Sequence, residues 1–184
     1  MGYTFATIGL LALISLVPPA GASQTDERLD TLFGRLQTTD NNGEAAALTQ
    51  LIWEIWHQSD DNVVNDLMSK GIEEMSLRNY DAALAAFNKV VEVEPKFAEG
   101  WNKRATVYYL MQEYEPSIRD IERTLELEPR HFGALSGLGL IFFAIGNDGA
   151  ALGALEAALK VNPHLPGART RAEQLRRRLR NKSF

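Results

Sequence analysis

Three stretches decide the fold: VEVEPKF at 91–97, LELEPRH at 125–131 and LKVNPHL at 159–165. Each ends a run of alternating apolar and polar residues with a proline, and Pro95, Pro129 and Pro163 stand 34 residues apart twice over. Proline cannot continue a helix, yet it fits the first turn of the next one. The interval therefore predicts a tandem helical repeat in which each proline marks the end of one unit.

The windows 64–97, 98–131 and 132–165 align in strict register. Small residues recur at two positions of each window, and a larger apolar residue recurs at a third. We expect two helices of about 13–15 residues per unit, with the small residues at the helix crossing, where they permit an interaxial distance of about 8–10 Å. The three sets are Gly71, Ala105 and Gly139; Ala83, Ser117 and Ala151; and Phe87, Ile121 and Leu155.

This pattern resembles the tetratricopeptide repeat, whose signature is W-x2-L-G-x2-Y, then A-x3-F, then P. The second unit opens with Trp101, Arg104, Ala105 and Tyr108, and the third with Leu135, Leu138, Gly139 and Phe142. The first unit keeps Leu67, Gly71, Ala83 and Phe87. The resemblance covers residues 62–165 and implies an all-α fold, a right-handed α-solenoid of antiparallel helix hairpins.

The flanking segments also have helical patterns. Residues 23–61 contain two apolar stripes separated by the polar loop TTDNNG, which predicts a degenerate hairpin that caps the N-terminal end of the stack. Residues 166–184 carry seven basic side chains and one acidic one, and Ala168, Ala172, Leu175 and Leu179 share a helical face. Arrays of this family usually end in a solvating helix, and we expect this basic helix to cap the C-terminal end.

The first 22 residues differ from the rest of the chain because they carry no charged side chain. The apolar run 8–17 is followed by Pro18, Pro19 and the small-x-small triplet 20–22. This order predicts a signal peptide cleaved after Ala22, although no basic residue precedes the run. We expect a periplasmic product. The alternatives are an inner-membrane anchor and a buried N-terminal helix.

Composition excludes several classes of function. Residues 23–165 have 12 basic and 23 acidic side chains, a net charge of −11 that disfavours nucleic-acid binding. The absence of cysteine excludes thiolate metal sites. His57, His131 and His164 lack metal-ligand spacing and are interpreted as exposed. No catalytic constellation is visible, so we expect neither an enzyme nor a bound metal or cofactor.

The family resemblance implies a binding groove, because the first helix of each hairpin lines the concave face. Inward positions at helical spacing predict an apolar groove that suits a flexible peptide or helix of a protein partner. The alternative is that the chain's own terminal helices fill it. The family's Lys, Asn and Arg constellation for a terminal carboxylate is not supported, since the equivalent positions are mostly neutral. The predicted groove residues are Asn65, Met68, Ile72, Met75, Glu99, Asn102, Thr106, Tyr109, Gly133, Ser136, Leu140 and Phe143.

We therefore expect a non-enzymatic scaffold or adaptor of the bacterial cell envelope that binds a protein partner. The alternative is a peripheral membrane protein whose basic C-terminal helix contacts anionic lipid. A lipid-binding helix usually carries bulky apolar anchors, and this one has two leucines before Phe184. The sequence thus favours a capping role for this helix.

Overall fold

The computed structural model describes residues 23–182, which form nine α-helices after a short 3-10 turn and contain no strand. Two helices precede the repeats, six form the three repeat hairpins and one follows them. This arrangement confirms the all-α class expected from the sequence. The helices are α1 (Arg28–Thr38), α2 (Asn42–Trp56), α3 (Asn62–Ser76), α4 (Tyr80–Val93), α5 (Ala98–Leu110), α6 (Tyr114–Leu127), α7 (Phe132–Ala144), α8 (Asp148–Val161) and α9 (Pro166–Lys182).

The two helices of each repeat hairpin pack tightly at the predicted small residues. Gly71 is buried, and a Cβ there would lie 2.5 Å from the ring of Phe87. In the second hairpin Ala105 and Ser117 are buried, and the Ser117 hydroxyl donates to the Ala105 carbonyl at 2.7 Å. The close approach explains why larger residues are absent from these positions.

A left-handed residue closes each repeat hairpin. Arg78, Gln112 and Gly146 have φ values of 61°, 63° and 79° and stand 34 residues apart. The amide of the following residue donates to a carbonyl five residues back, as Asn79 does to Glu74 at 2.8 Å. This bond ends the first helix and reverses the chain. Only the third repeat uses glycine, the residue that adopts positive φ without steric cost.

Residues 23–56, which comprise the 3-10 turn Ser23–Thr25, α1 and α2, lie along the proline turns, whereas the sequence predicted a cap at the N-terminal end of the stack. Gln24 donates to the carbonyl of Lys96 in the first proline turn. Arg130 in the second turn donates to Asp30 of α1 at 2.6 Å. Asn162 in the third turn donates to Thr49 of α2 at 3.2 Å. Residues 23–56 therefore brace all three turns, and we call this segment the brace.

Apolar packing holds the brace in place. Leu29, Phe33, Ile52 and Trp56 form a buried cluster with Phe132, the first residue of α7. The partly buried Val161 and Leu165 of the third proline turn pack against the same cluster. The apolar faces of α1 and α2 are buried along the row of proline turns. This burial explains the position of the brace.

Helix α9 packs against α8 of the last repeat. Ala172 and Leu175 are buried against Ala151 and Leu155 of α8. Arg176 forms an ion pair with Glu156 at 2.8 Å. The apolar stripe needed for insertion into lipid is thus used for internal packing.

The predicted signal peptide, residues 1–22, lies outside the described residues. In residues 23–182 no helix combines the length and apolar character that crossing a membrane requires.

Candidate interaction groove

The concave side of the stack carries a cavity of about 300 Å³ between α5 and α7. Buried Ala105, Ile121 and Ile141 form its floor. Six residues predicted for the groove line this cavity, and five of them are partly exposed while one is mostly buried. These six are Asn102, Thr106, Tyr109, Gly133, Ser136 and Leu140.

A second cavity of about 260 Å³ continues the groove toward α9. Ser136 and Leu140 line both cavities, so the two spaces adjoin. Arg171 of α9 lines the second cavity and places its guanidinium 4.9 Å from the ring centroid of Phe143. Phe143, also predicted for the groove, is 38% exposed. The pair of cavities on α5, α7 and α9 is called the groove below.

The first repeat contributes less than predicted. Met68 is 2% exposed and packs in a core cluster with Val64, Phe87 and Phe97, so its assignment to the groove is wrong. Met75 is partly buried against the same cluster. Ile72 is 36% exposed. Helix α3 turns Met68 inward because that long side chain fills the space between α3, α4 and α5.

A second correction concerns Asn65, Glu99 and Gly133, which occupy equivalent positions in the three repeats and meet the brace or its connection to α3. The Asn65 amide donates to the Ser59 carbonyl at 2.7 Å. Glu99 is 1% exposed. A Cβ on Gly133 would lie 2.5 Å from the Trp53 ring. The chain's own N-terminal segment thus covers this row, while the rest of the groove stays open.

Glu99 is the centre of a buried polar cluster that joins α2, α5 and α7. His131 Nε2 lies 2.9 Å from Oε2, and the Asn102 amide donates to the same oxygen at 2.9 Å. Lys103 Nζ and His57 Nε2 lie 3.1 and 3.2 Å from Oε1. Burial alone would raise the pKa of Glu99, but the His131 hydrogen bond and the Lys103 charge outweigh it and lower that pKa to about 2.

His131 has a defined structural role in this cluster. Its Nδ1 accepts a hydrogen bond from the Ala134 amide at 3.0 Å and so caps α7. An accepting Nδ1 leaves the proton on Nε2, which donates to Glu99. The ring stacks on Trp56 with centroids 4.2 Å apart. His131 is fully buried, so the prediction of an exposed turn histidine is wrong.

The cluster joins the brace to the stack, because His57 ends α2 while Glu99 lies in α5 and His131 precedes α7. In residues 23–182 no group of three or more His, Asp and Glu side chains is arranged to hold a metal ion. Sequence reasoning missed this cluster because its members come from three helices. One signal was present in the alignment of the three repeats. Glu99 is ionisable, whereas the equivalent residues Asn65 and Gly133 are not.

Stacked helical hairpins with a concave groove define a repeat protein of the α-solenoid class. The profile of the tetratricopeptide repeat family matches residues 68–115 and 103–169. A TPR repeat-containing protein of Rhizobium etli is 36% identical over 154 residues, which cover 84% of this chain and 74% of the relative. The chain belongs to the tetratricopeptide repeat family.

Other similarities are confined to the repeats. The small glutamine-rich tetratricopeptide repeat-containing protein 2 of Saccharomyces cerevisiae is 27% identical over 52% of this chain and 28% of its own length. Among solved structures, the first TPR of Spaghetti (RPAP3) bound to the HSP90 peptide SRMEEVD has a TM-score of 0.62 at 21% identity. That match covers 65% of this chain and 95% of the other. The Sgt2 TPR domain from Aspergillus fumigatus has a TM-score of 0.63 at 21% identity, covering 67% and 83%.

Proposed function

We propose that this chain is a non-enzymatic interaction module that binds a peptide segment of a partner protein in the groove. The observation that carries the proposal is the open, mainly apolar groove on α5, α7 and α9, beside the covered row at the brace. Tyr109 and Leu140 supply its larger apolar surfaces, and the exposed ring of Phe143 lies beside Arg171 at one end. Each such side chain buried against a partner contributes about 1.5–3 kcal/mol before ordering costs, so a few contacts suffice for micromolar affinity.

Similar structures support the binding of a peptide or protein partner. The RPAP3 domain is described with an HSP90 peptide, and the TPR2B domain of yeast Sti1 is described in a complex with pHsp70. The latter has a TM-score of 0.59 at 18% identity. Identities at this level establish the fold alone, so the partner of this chain is to be identified by experiment.

The test places a charge in the groove and measures capture of partners by the mature chain. Tyr109→Glu and Leu140→Glu should leave the melting temperature nearly unchanged, because water solvates the charge in the free protein. Both should abolish capture, because binding would desolvate the charge. Val63→Glu is the matched control: Val63 is 58% exposed in the first turn of α3, where a negative charge is tolerated.

Three outcomes of this experiment lead to different conclusions about the groove. Loss of capture in both groove variants but not in Val63→Glu supports the proposal. Retention of the same partners by folded groove variants would place binding elsewhere. Unfolding of both groove variants would show that these residues belong to the core.

We also propose that the module acts in the bacterial cell envelope after export. The support is the uncharged segment 1–22, with its apolar run and small-residue triplet. Mass spectrometry of the protein expressed in a bacterial host should find Ser23 at the N terminus of a periplasmic product. An uncleaved product in the membrane fraction would contradict cleavage and favour an anchored form.

A further inference from the structure

One face of α3 is exposed, although the equivalent faces of the later helices are buried. Glu73 is exposed. Its equivalents at intervals of 34 residues, Val107, Ile141 and Leu175, are at most 1% exposed and pack between their own helix and the hairpin before it. The sequence predicted that α1 and α2 cover this end of the stack. The brace lies along the proline turns instead and leaves this face of α3 open.

The exposed face of α3 carries an alternating row of charges. Asp66, Lys70 and Glu73 stand four and three residues apart, so they share one side of the helix. All three side chains are exposed, and none forms an ion pair within residues 23–182. The order along α3 is negative, positive, negative.

One face of α9 carries the opposite row. Arg169, Glu173 and Arg176 are exposed and have the same spacing, in the order positive, negative, positive. Arg176 pairs with Glu156 at 2.8 Å, and Arg169 donates to the Pro163 carbonyl at 2.6 Å. A guanidinium has five N–H donors, so both arginines keep donors for a further carboxylate.

The repeat register shows what kind of surface suits this face of α9. Glu173 occupies the position of Ala105 in α5 and of Gly139 in α7. A Cβ on Gly139 would lie 2.7 Å from Leu155, so closing a hairpin demands a very small residue there. A glutamate between two arginines instead suits a polar helix with the opposite order of charges.

We infer that this face of α9 binds the exposed face of α3 of a second copy, so that the protein self-associates head to tail. Lys70 meets Glu173 at the centre of the contact, and the two outer arginines of α9 meet the two outer carboxylates of α3. The alternating order makes the rows complementary whether the helices run parallel or antiparallel. Helix α3 has three acidic side chains and one basic one, while α9 has one acidic and seven basic, so the net charges also attract.

The contact joins two different surfaces, so it is heterologous. Such a contact extends into an open chain of copies unless its rotation closes a ring. None of the six charged residues lines either cavity of the groove. Self-association is therefore independent of the proposed binding of a partner peptide.

The test is sedimentation equilibrium of the mature chain at protein concentrations up to about 1 mM, because a contact between single helix faces is smaller than a standard interface and weak. Runs at about 0.01 M and about 1 M salt compare screening lengths of about 30 Å and about 3 Å. The average mass should rise with protein concentration at low salt. The association constant should fall about tenfold at high salt, because three exposed ion pairs together contribute about that factor.

Charge reversal on each face separates the two halves of the contact. The double variants Asp66→Lys with Glu73→Lys and Arg169→Glu with Arg176→Glu should each stay monomeric alone, because like charges then meet. An equimolar mixture of the two should associate at least as tightly as the wild type, since each variant keeps one unaltered face. Arg169→Glu with Arg180→Glu replaces the second variant if α9 needs the ion pair of Arg176 to fold.

Matched controls make the same changes in net charge at exposed positions on other helices, and circular dichroism verifies the fold of every variant. These controls should associate like the wild type. They are Glu92→Lys with Glu122→Lys, and Lys89→Glu with Arg119→Glu.

Three results would overturn the inference. One is a wild type that stays monomeric at low salt over the whole concentration range. Another is association that survives both reversals, which would place the contact on other surfaces. The third is a monomeric wild type that sediments with phosphatidylglycerol vesicles unless α9 carries the reversal, which would assign this face to anionic lipid. The charge variants of the groove test the proposed function separately.

Discussion

The carboxylate of Glu99 lies in the protein interior, and its charge is stabilised mainly by the hydrogen bond from His131 and by the charge of Lys103. Its folded-state pKa of about 2 lies below the ordinary value of 4.5. Ionised Glu99 therefore stabilises the fold fully above pH 4.5, and this stabilisation is lost as the pH falls toward 2. The difference corresponds to about 3 kcal/mol.

Glu99→Gln should remove this pH-dependent part of the stability. The expected result is that the wild type loses about 3 kcal/mol more unfolding free energy than the variant between pH 5 and pH 2. Denaturant unfolding at several pH values measures it. Glu92→Gln, which removes an exposed carboxylate outside the cluster, is the control. Parallel curves for Glu99→Gln would show that folding does not lower the pKa of Glu99.

The turn residues of the hairpins allow a comparison between equivalent positions. Non-glycine residues lose roughly 1–2 kcal/mol in the left-handed region, while glycine costs about 0.5–1 kcal/mol in chain entropy. Arg78→Gly and Gln112→Gly should therefore stabilise the protein by about 0.5–1 kcal/mol, and Gly146→Gln should destabilise it similarly. Urea unfolding measures each.

Ser69→Gly in the exposed part of α3 is the control for these variants and should be destabilising. Stabilisation by Ser69→Gly as well would mean that the turn geometry is not the cause. No sequence signal identified this turn position, because its residues are Arg, Gln and Gly and share a backbone angle rather than a side-chain type.

At the scale of helices, the sequence predicted the repeats well and the brace poorly. The 34-residue interval fixes which residues pack within a hairpin, because helix crossing demands small side chains at constant spacing. The apolar stripes of α1 and α2 show that each helix buries one face. They do not show which surface of the protein that face packs against. The surface they cover is assembled from three proline turns distant in sequence, so local pattern contains no information about it.

A matched pair of glycines on α7 tests the contact between the brace and the stack. Gly133→Ala would put a Cβ 2.5 Å from the Trp53 ring, within a cluster of four other rings, and should cost about 1–3 kcal/mol. Gly137→Ala meets an ordinary contact and should stabilise the helix by about 0.5–1 kcal/mol. Equal effects in thermal or urea unfolding would mean that Trp53 does not pack on α7.

The first repeat offers a comparison between core and surface that corrects the predicted groove. Met68→Glu should unfold the protein, because it would bury a charge among apolar side chains. Ile72→Glu, one turn further along α3, should lower the melting temperature little, since that side chain is 36% exposed. Thermal unfolding of both variants, followed by circular dichroism, measures this difference. If the Met68→Glu protein folds, Met68 belongs to the groove and not to the core.

At the scale of the whole molecule, the brace changes how the repeats depend on one another. Repeats in a solenoid contact only their neighbours, so their stabilities add nearly independently and the ends can unfold separately. Here the hydrogen bonds between the brace and the turns join residues 72, 100 and 113 positions apart. Loss of the brace would remove contacts from all three turns at once.

We therefore expect a single cooperative unfolding transition. Trp101→Phe leaves Trp53 and Trp56 of α2 as the only tryptophans, so fluorescence reports on the brace while far-UV circular dichroism reports mainly on the repeats. The two urea transitions should coincide in midpoint and slope, because coincident probes are the signature of two-state unfolding. A fluorescence transition at clearly lower urea, with the helical signal intact, would mean that the brace detaches alone. The groove residues on α5 and α7 would then be held by neighbouring repeats, and partner binding should survive brace release.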